Sequence, residues 1–128
     1  MRKTIIVILL LVWVILIGAE RGESVNTVDF SDFELMSCTA YYQGETTANG
    51  SKVHEGGCAC NTHLGDVAIV YTTDGQFLGY YECNDTGGTD GLKNGTVIDI
   101  YRMNYTRCRM FMKVTRGKVY VKWIEGKG

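Results

Sequence analysis

The chain has 128 residues, with 13 Lys and Arg against 14 Asp and Glu and a formal net charge of −1. That length suits one domain and excludes two of ordinary size, and the lack of a basic excess argues against nucleic acid as a partner. Sixteen glycines and no proline mean that the turns depend on positive φ and not on a locked ring.

Arg2 and Lys3 precede an unbroken apolar run from Ile5 to Ile17, which Gly18-Ala19-Glu20 closes. A basic start, a short apolar stretch and small residues before a polar one are the layout of a secretory signal. The run is shorter than the roughly 18 apolar residues of a spanning helix. Residues 1–19 are therefore read as a signal peptide, with membrane anchoring through residues 4–19 as the alternative. Either places the rest of the chain outside the cytoplasm, secreted or membrane-anchored. Residues 20–34, rich in Glu, Asp, Ser and Asn, read as a linker, and residues 35–128 as the domain. Without Arg2 and Lys3, 11 basic residues face 14 acidic ones, a net charge of −3. The charges are unevenly placed: residues 20–99 hold thirteen acids and three bases, whereas from Arg102 onward there are eight Lys or Arg and only Glu125. Such a cationic third is either the solvated face of edge strands and a tail or a surface for an anionic wall polymer.

Residues 35–43, 67–73, 77–83, 96–101, 108–115 and 118–124 are enriched in β-branched and aromatic residues, much of it alternating, and predict six short strands. Asp74-Gly75 predicts a hairpin between the second and third, and Arg116-Gly117 one between the last two. Only residues 104–107 leave room for a helical turn. Six short strands in so short a domain predict an all-β fold, a small closed barrel.

Export changes the reading of Cys38, Cys58, Cys60, Cys83 and Cys108, because disulfides persist there. One cysteine is left over, and each choice of the odd one leaves three pairings open. Cys58-Ala59-Cys60 is too tight for the usual zinc-knuckle spacing, and His54 and His63 complete no standard ligand pattern. One or two staples for a barrel with a marginal core is the simpler account.

Two carboxylates stand out. Asp85 lies in the glycine-rich turn Asn84-Asp85-Thr86-Gly87-Gly88, and Asp99 lies inside the apolar strand Val97-Ile98-Asp99-Ile100-Tyr101. Asp is depleted in strands, and a buried carboxylate needs partners. If Ile98 and Ile100 face a core, alternation turns Asp99 and Tyr101 to the other side, toward a cleft. Each residue also has a structural reading: Asp85 closing its own turn through a side-chain bond to backbone, Asp99 pairing with Arg102 or Arg107 at the barrel rim. Tyr41, Tyr42, Tyr80, Tyr81 and Tyr101 offer sugar-stacking faces, although alternation commits some of them to core or plain surface.

Taken in order, Thr39-Ala40-Tyr41-Tyr42, Thr47-Ala48-Asn49-Gly50, Ala59-Cys60-Asn61 followed by Leu64-Gly65, Asp85-Thr86-Gly87-Gly88 and Ile98-Asp99-Ile100-Tyr101 resemble the 3D domain, named for three aspartates. Its wider relatives are the MltA-type lytic transglycosylases, the RlpA-like proteins and the expansins. The resemblance spans residues 37–124 and implies a double-psi β-barrel facing the cell wall. It implies that Asp99 is the catalytic acid with Asp85 beside it, and that Thr39, Tyr41, Asn61, Asn84, Thr86, Gly87, Gly88 and Tyr101 line the glycan groove. The implied partner is the peptidoglycan glycan strand, with no metal and no organic cofactor. The chain departs from the pattern at the first family aspartate: Asn61 holds its place, no proline follows, and the turn shortens to Thr62-His63-Leu64-Gly65-Asp66, which brings His63 or Asp66 forward as a replacement.

The implied reaction joins O6 of a muramic acid residue to its own C1 and leaves a 1,6-anhydro end. It needs a protonated carboxyl for the leaving oxygen, and Asp99, between isoleucines and beside Asp85, is placed to hold a proton. The alternative is a non-catalytic wall-binding or wall-loosening module of RlpA or expansin type. A third reading is a membrane-anchored structural partner in an envelope assembly.

Overall fold

The computed structural model describes residues 28–126. The apolar run, and with it the reading of residues 1–19, lies outside the described residues. Six strands, β1 (Glu34–Tyr41), β2 (Gly57–Ala59), β3 (Val67–Thr72), β4 (Phe77–Asp85), β5 (Val97–Tyr101) and β6 (Lys118–Ile124), are joined by loops and two helices, α1 (Asp90–Asn94) and α2 (Tyr105–Thr115). The strands close into a ring in the order β1-β5-β2-β4-β3-β6. Pairs β1/β5 and β2/β4 are parallel, and the other four are antiparallel.

Alternation builds the barrel wall. Met36 and Cys38 of β1, Ala68 and Val70 of β3, Tyr81 and Cys83 of β4, Ile98 and Ile100 of β5, and Val119 and Val121 of β6 point inward, with Phe111 of α2 joining the same core. Ile98, Ile100, Val70, Val119 and Val121 are completely buried. Successive side chains on a strand take opposite faces, so filling the inside with these residues puts Thr39, Tyr41, Asp99 and Tyr101 on the outer face.

The Asp74-Gly75 hairpin between β3 and β4 forms as its sequence predicts, with Gly75 at φ 95° and its N–H donating to the Thr72 carbonyl at 3.1 Å. Residues 108–115, expected as a strand, belong to α2. Their sequence carries both periods, but Cys108, Phe111 and Thr115 recur at helical spacing and bury one side. Asn104 begins the helix by accepting the Arg107 N–H at 2.9 Å, so residues 104–107 are its first turn and not an isolated one. Arg116-Gly117 consequently ends a helix instead of joining two strands. Arg116 adopts the left-handed conformation, φ 57°, and its N–H donates to the Met112 carbonyl. The sixth strand is instead β2, three residues completely enclosed between β5 and β4. Within the stretch expected as a linker, Phe30 stacks on Tyr120 at 4.5 Å, and Phe30 and Phe33 meet Tyr71 edge to face.

Candidate functional site

One transverse row of the barrel carries the chemistry. Thr39 pairs with Asp99, Asp99 with Ala59, and Ala59 with Asp85, across β1, β5, β2 and β4. Residues opposite one another on neighbouring strands project to the same side. In register the two carboxylates therefore stand on either side of Ala59, whose side chain is a single methyl group, with a register shift between Cys58 and Ala59 on the β4 side.

Asp99 is half-buried, and one of its oxygens accepts the Thr39 hydroxyl at 2.8 Å. Burial holds its carboxyl above the ordinary range; the Thr39 bond opposes that shift and the Asp85 charge adds to it. Neither Arg102 nor Arg107 pairs with it. Arg102 is engaged by Glu55 at 3.6 Å, and among the described residues no carboxylate lies at ion-pair distance from the Arg107 guanidinium.

Asp85 ends β4, and three donors converge on it. Its Oδ1 accepts the backbone N–H groups of Ala48 at 3.0 Å and Thr86 at 2.9 Å, and Oδ2 accepts the Tyr41 hydroxyl at 3.3 Å. The bond to Thr86 is local to the turn; those to Ala48 and Tyr41 tie the carboxylate to two distant elements. Tyr41 also meets the Tyr101 ring edge to face at 5.4 Å. Burial, then the Asp85 charge, keeps the Tyr41 hydroxyl protonated far above neutrality, so it stays a donor.

The glycine-rich turn is held from below. The Asn61 amide donates to the Gly87 carbonyl at 2.8 Å and accepts the Gly87 N–H at 2.9 Å. A carboxylate at position 61 could accept but not donate, so the residue that departs from the family pattern is the one suited to this clasp. Any side chain on Gly87 would run into Leu92 of α1. Thr86 and Gly88 are exposed beside Asp85.

Two expected neighbours lie elsewhere. Asn84 is 1% exposed, with its side chain packed against Gly57 and 3.4 Å from His54 Nε2, and it bonds neither Asp85 nor Asp99. His63 stacks on Trp123 at 4.1 Å and contacts Asp66 at 3.0 Å, and Asp66 accepts the Gly126 N–H at 2.9 Å. The Gly126 bond, then the His63 bond, holds the Asp66 carboxyl below its usual range. This pair fastens β6 to the loop before β3, and neither residue bonds Asp85 or Asp99.

Cys60 and Cys83 form a disulfide with Cα atoms 5.9 Å apart, while Cys38, Cys58 and Cys108 are free and buried. The sulfurs of Cys58, Cys60 and Cys83 lie within 4.8 Å of one another. Two of the three are joined in the disulfide, and burial pushes the Cys58 thiol far up.

Ala48 and Ala59 are the site residues that the sequence reading did not single out. One acts through its backbone N–H and the other through the smallness of its side chain, and neither property marks an alanine in a sequence. Compared with protein-family models, curated proteins and solved structures, the chain matches none of them.

Proposed function

We propose that the chain is an extracytoplasmic lytic transglycosylase of double-psi barrel type that cleaves the bond between N-acetylmuramic acid and N-acetylglucosamine in peptidoglycan. The observation that carries this reading is the row of Asp99 and Asp85 on either side of Ala59, one carboxyl favouring its proton and the other held by three donors. Two parallel pairs of non-consecutive strands, β1/β5 and β2/β4, support the double-psi topology. A disulfide supports an oxidising compartment.

In this mechanism the protonated Asp99 gives its proton to the glycosidic oxygen as the C1–O bond breaks. Asp85, held by its three donors, stabilises the positive charge that develops on the sugar ring. Asp99, now a carboxylate, takes the proton of the muramic acid 6-hydroxyl, and O6 closes on C1. The proton is restored, no water is consumed, and the product ends in 1,6-anhydro-muramic acid. Tyr41 and Tyr101 supply the aromatic edge of the groove, and Thr39 holds Asp99 in place.

A non-catalytic wall-binding module is the second reading, favoured by Asn61 in place of the first family aspartate. Mass spectrometry of muropeptides released from purified peptidoglycan separates the two. The enzyme yields 1,6-anhydro ends, and Asp99→Asn lowers their rate by about 10²–10⁴-fold. Reducing ends in place of anhydro ends would make it a hydrolase. Intact glycan that still retains the protein would make it a binding module.

A further inference from the structure

α2 buries only one side. Opposite Cys108, Phe111 and Thr115, the residues Thr106, Met110 and Val114, spaced four apart, form a line along the helix. Met110 is 61% exposed and Val114 52%, and Met103 and Tyr105 at the helix start are more than half exposed. Two open clefts run along this ridge. One, of about 780 Å³, lies between α2 and the end of β1 at Ala40 and Tyr42; the other, of about 550 Å³, lies between α2 and Leu78 of β4.

Cations border both clefts: Arg109 and Lys113 line the first, Arg107 the second. Among the described residues none of these three has a carboxylate at ion-pair distance, and no Asp or Glu occurs between Arg102 and Ile124. An apolar ridge with basic residues on both flanks is the pattern of a helix lying in a membrane interface. A soluble polyanion would satisfy the cations and leave Met110 and Val114 in water; a lipid surface takes both. In the alternative reading of residues 4–19 as an anchor, only ten residues separate Ile17 from residue 28.

We propose that α2 seats on an anionic lipid surface, with Met103, Met110 and Val114 entering the headgroup layer and Arg107, Arg109 and Lys113 meeting lipid phosphates. The contact orients the barrel on the membrane, and it stands independently of whether the groove cuts glycan.

The test is methionine oxidation by peroxide, read by mass spectrometry on the full chain in phosphatidylcholine vesicles with and without about one-third phosphatidylglycerol. Buried Met36, 3% exposed, is the internal reference. Slower oxidation of Met103 and Met110 in the anionic vesicles alone is the expected result. Each cation strengthens binding about fivefold, so the surface variant Arg109→Gln, Lys113→Gln should lower the docked-to-free ratio about 25-fold and restore oxidation. Equal oxidation in both vesicles overturns the proposal. So does equal protection by soluble polyphosphate without lipid, which would make the face a polyanion site.

Discussion

Thr39 and Asp85 act on Asp99 in opposite senses, and that opposition is measurable. The Thr39 hydroxyl donates to the ionised carboxylate, so Thr39→Val removes a bond that favours ionisation and raises the proton affinity of Asp99 further. Activity that needs protonated Asp99 is lost as pH rises through its pKa, so the variant should carry activity to higher pH. A pH–rate profile whose alkaline limb stays in place would remove Thr39 from this role. The same shift has a stability consequence. A carboxyl whose folded pKa lies above its unfolded value adds stability that is complete below the unfolded value, near 4, and lost as pH rises through the folded one. Asp99→Asn should therefore melt no lower than the parent at neutral pH, with an advantage that vanishes in acid; scans across that window decide it. The prominence of Asp99 was legible because a carboxylate between two isoleucines conflicts with strand propensity. Ala48, the backbone partner of Asp85, was not, because a backbone N–H leaves no trace in the identity of its residue.

At the scale of elements, the turn bearing Asp85 depends on how closely β4 and α1 approach. Gly87→Ala drives a methyl group into Leu92 and should cost about 1–3 kcal/mol in a urea titration, with activity falling as the turn shifts. Leu92→Ala in the same chain makes room, so the double variant should recover part of the activity lost by Gly87→Ala. Additive losses would show that the two residues do not press on each other. The glycine-rich turn stands where its residues predict it, whereas the segment after Asn104 is a helix and not the predicted strand. Residues 108–115 alternate apolar and polar nearly as a strand does, and they also repeat at helical spacing. The deciding contacts are the Asn104 cap and the Phe111 seat in the barrel, one local and one reaching across the fold. β2 went unseen because three residues cannot display a period, and its enclosure comes entirely from β4 and β5.

Across the whole molecule, the expected closed barrel of six strands is present, although one expected strand is a helix and another strand replaces it. Ring order was not legible, since β2 sits between partners from different parts of the chain. That placement makes the disulfide the natural fastening of the site. β2 is held by three register pairs to β4 and two to β5, and it carries Ala59 between the two aspartates. Cys60, the residue after this strand, is tied to Cys83 of β4 across a sequence separation of 23, and the loop so closed contains β3. Closing a loop of that length stabilises a fold by about 3 kcal/mol, or roughly 15 °C of Tm in a domain of this size. Cys60→Ala, Cys83→Ala should therefore lower Tm by about that amount. Muropeptide release should fall at temperatures where the barrel is still folded by circular dichroism, because β2 loosens before the ring opens. Cys38, Cys58 and Cys108, all buried, should resist alkylation in the native chain and react in denaturant, while Cys60 and Cys83 react only after reduction. Alkylation of Cys60 or Cys83 without reductant would assign the pairing elsewhere. A Tm unchanged in the double alanine variant would mean that the ladder of β2 alone holds the two aspartates in register.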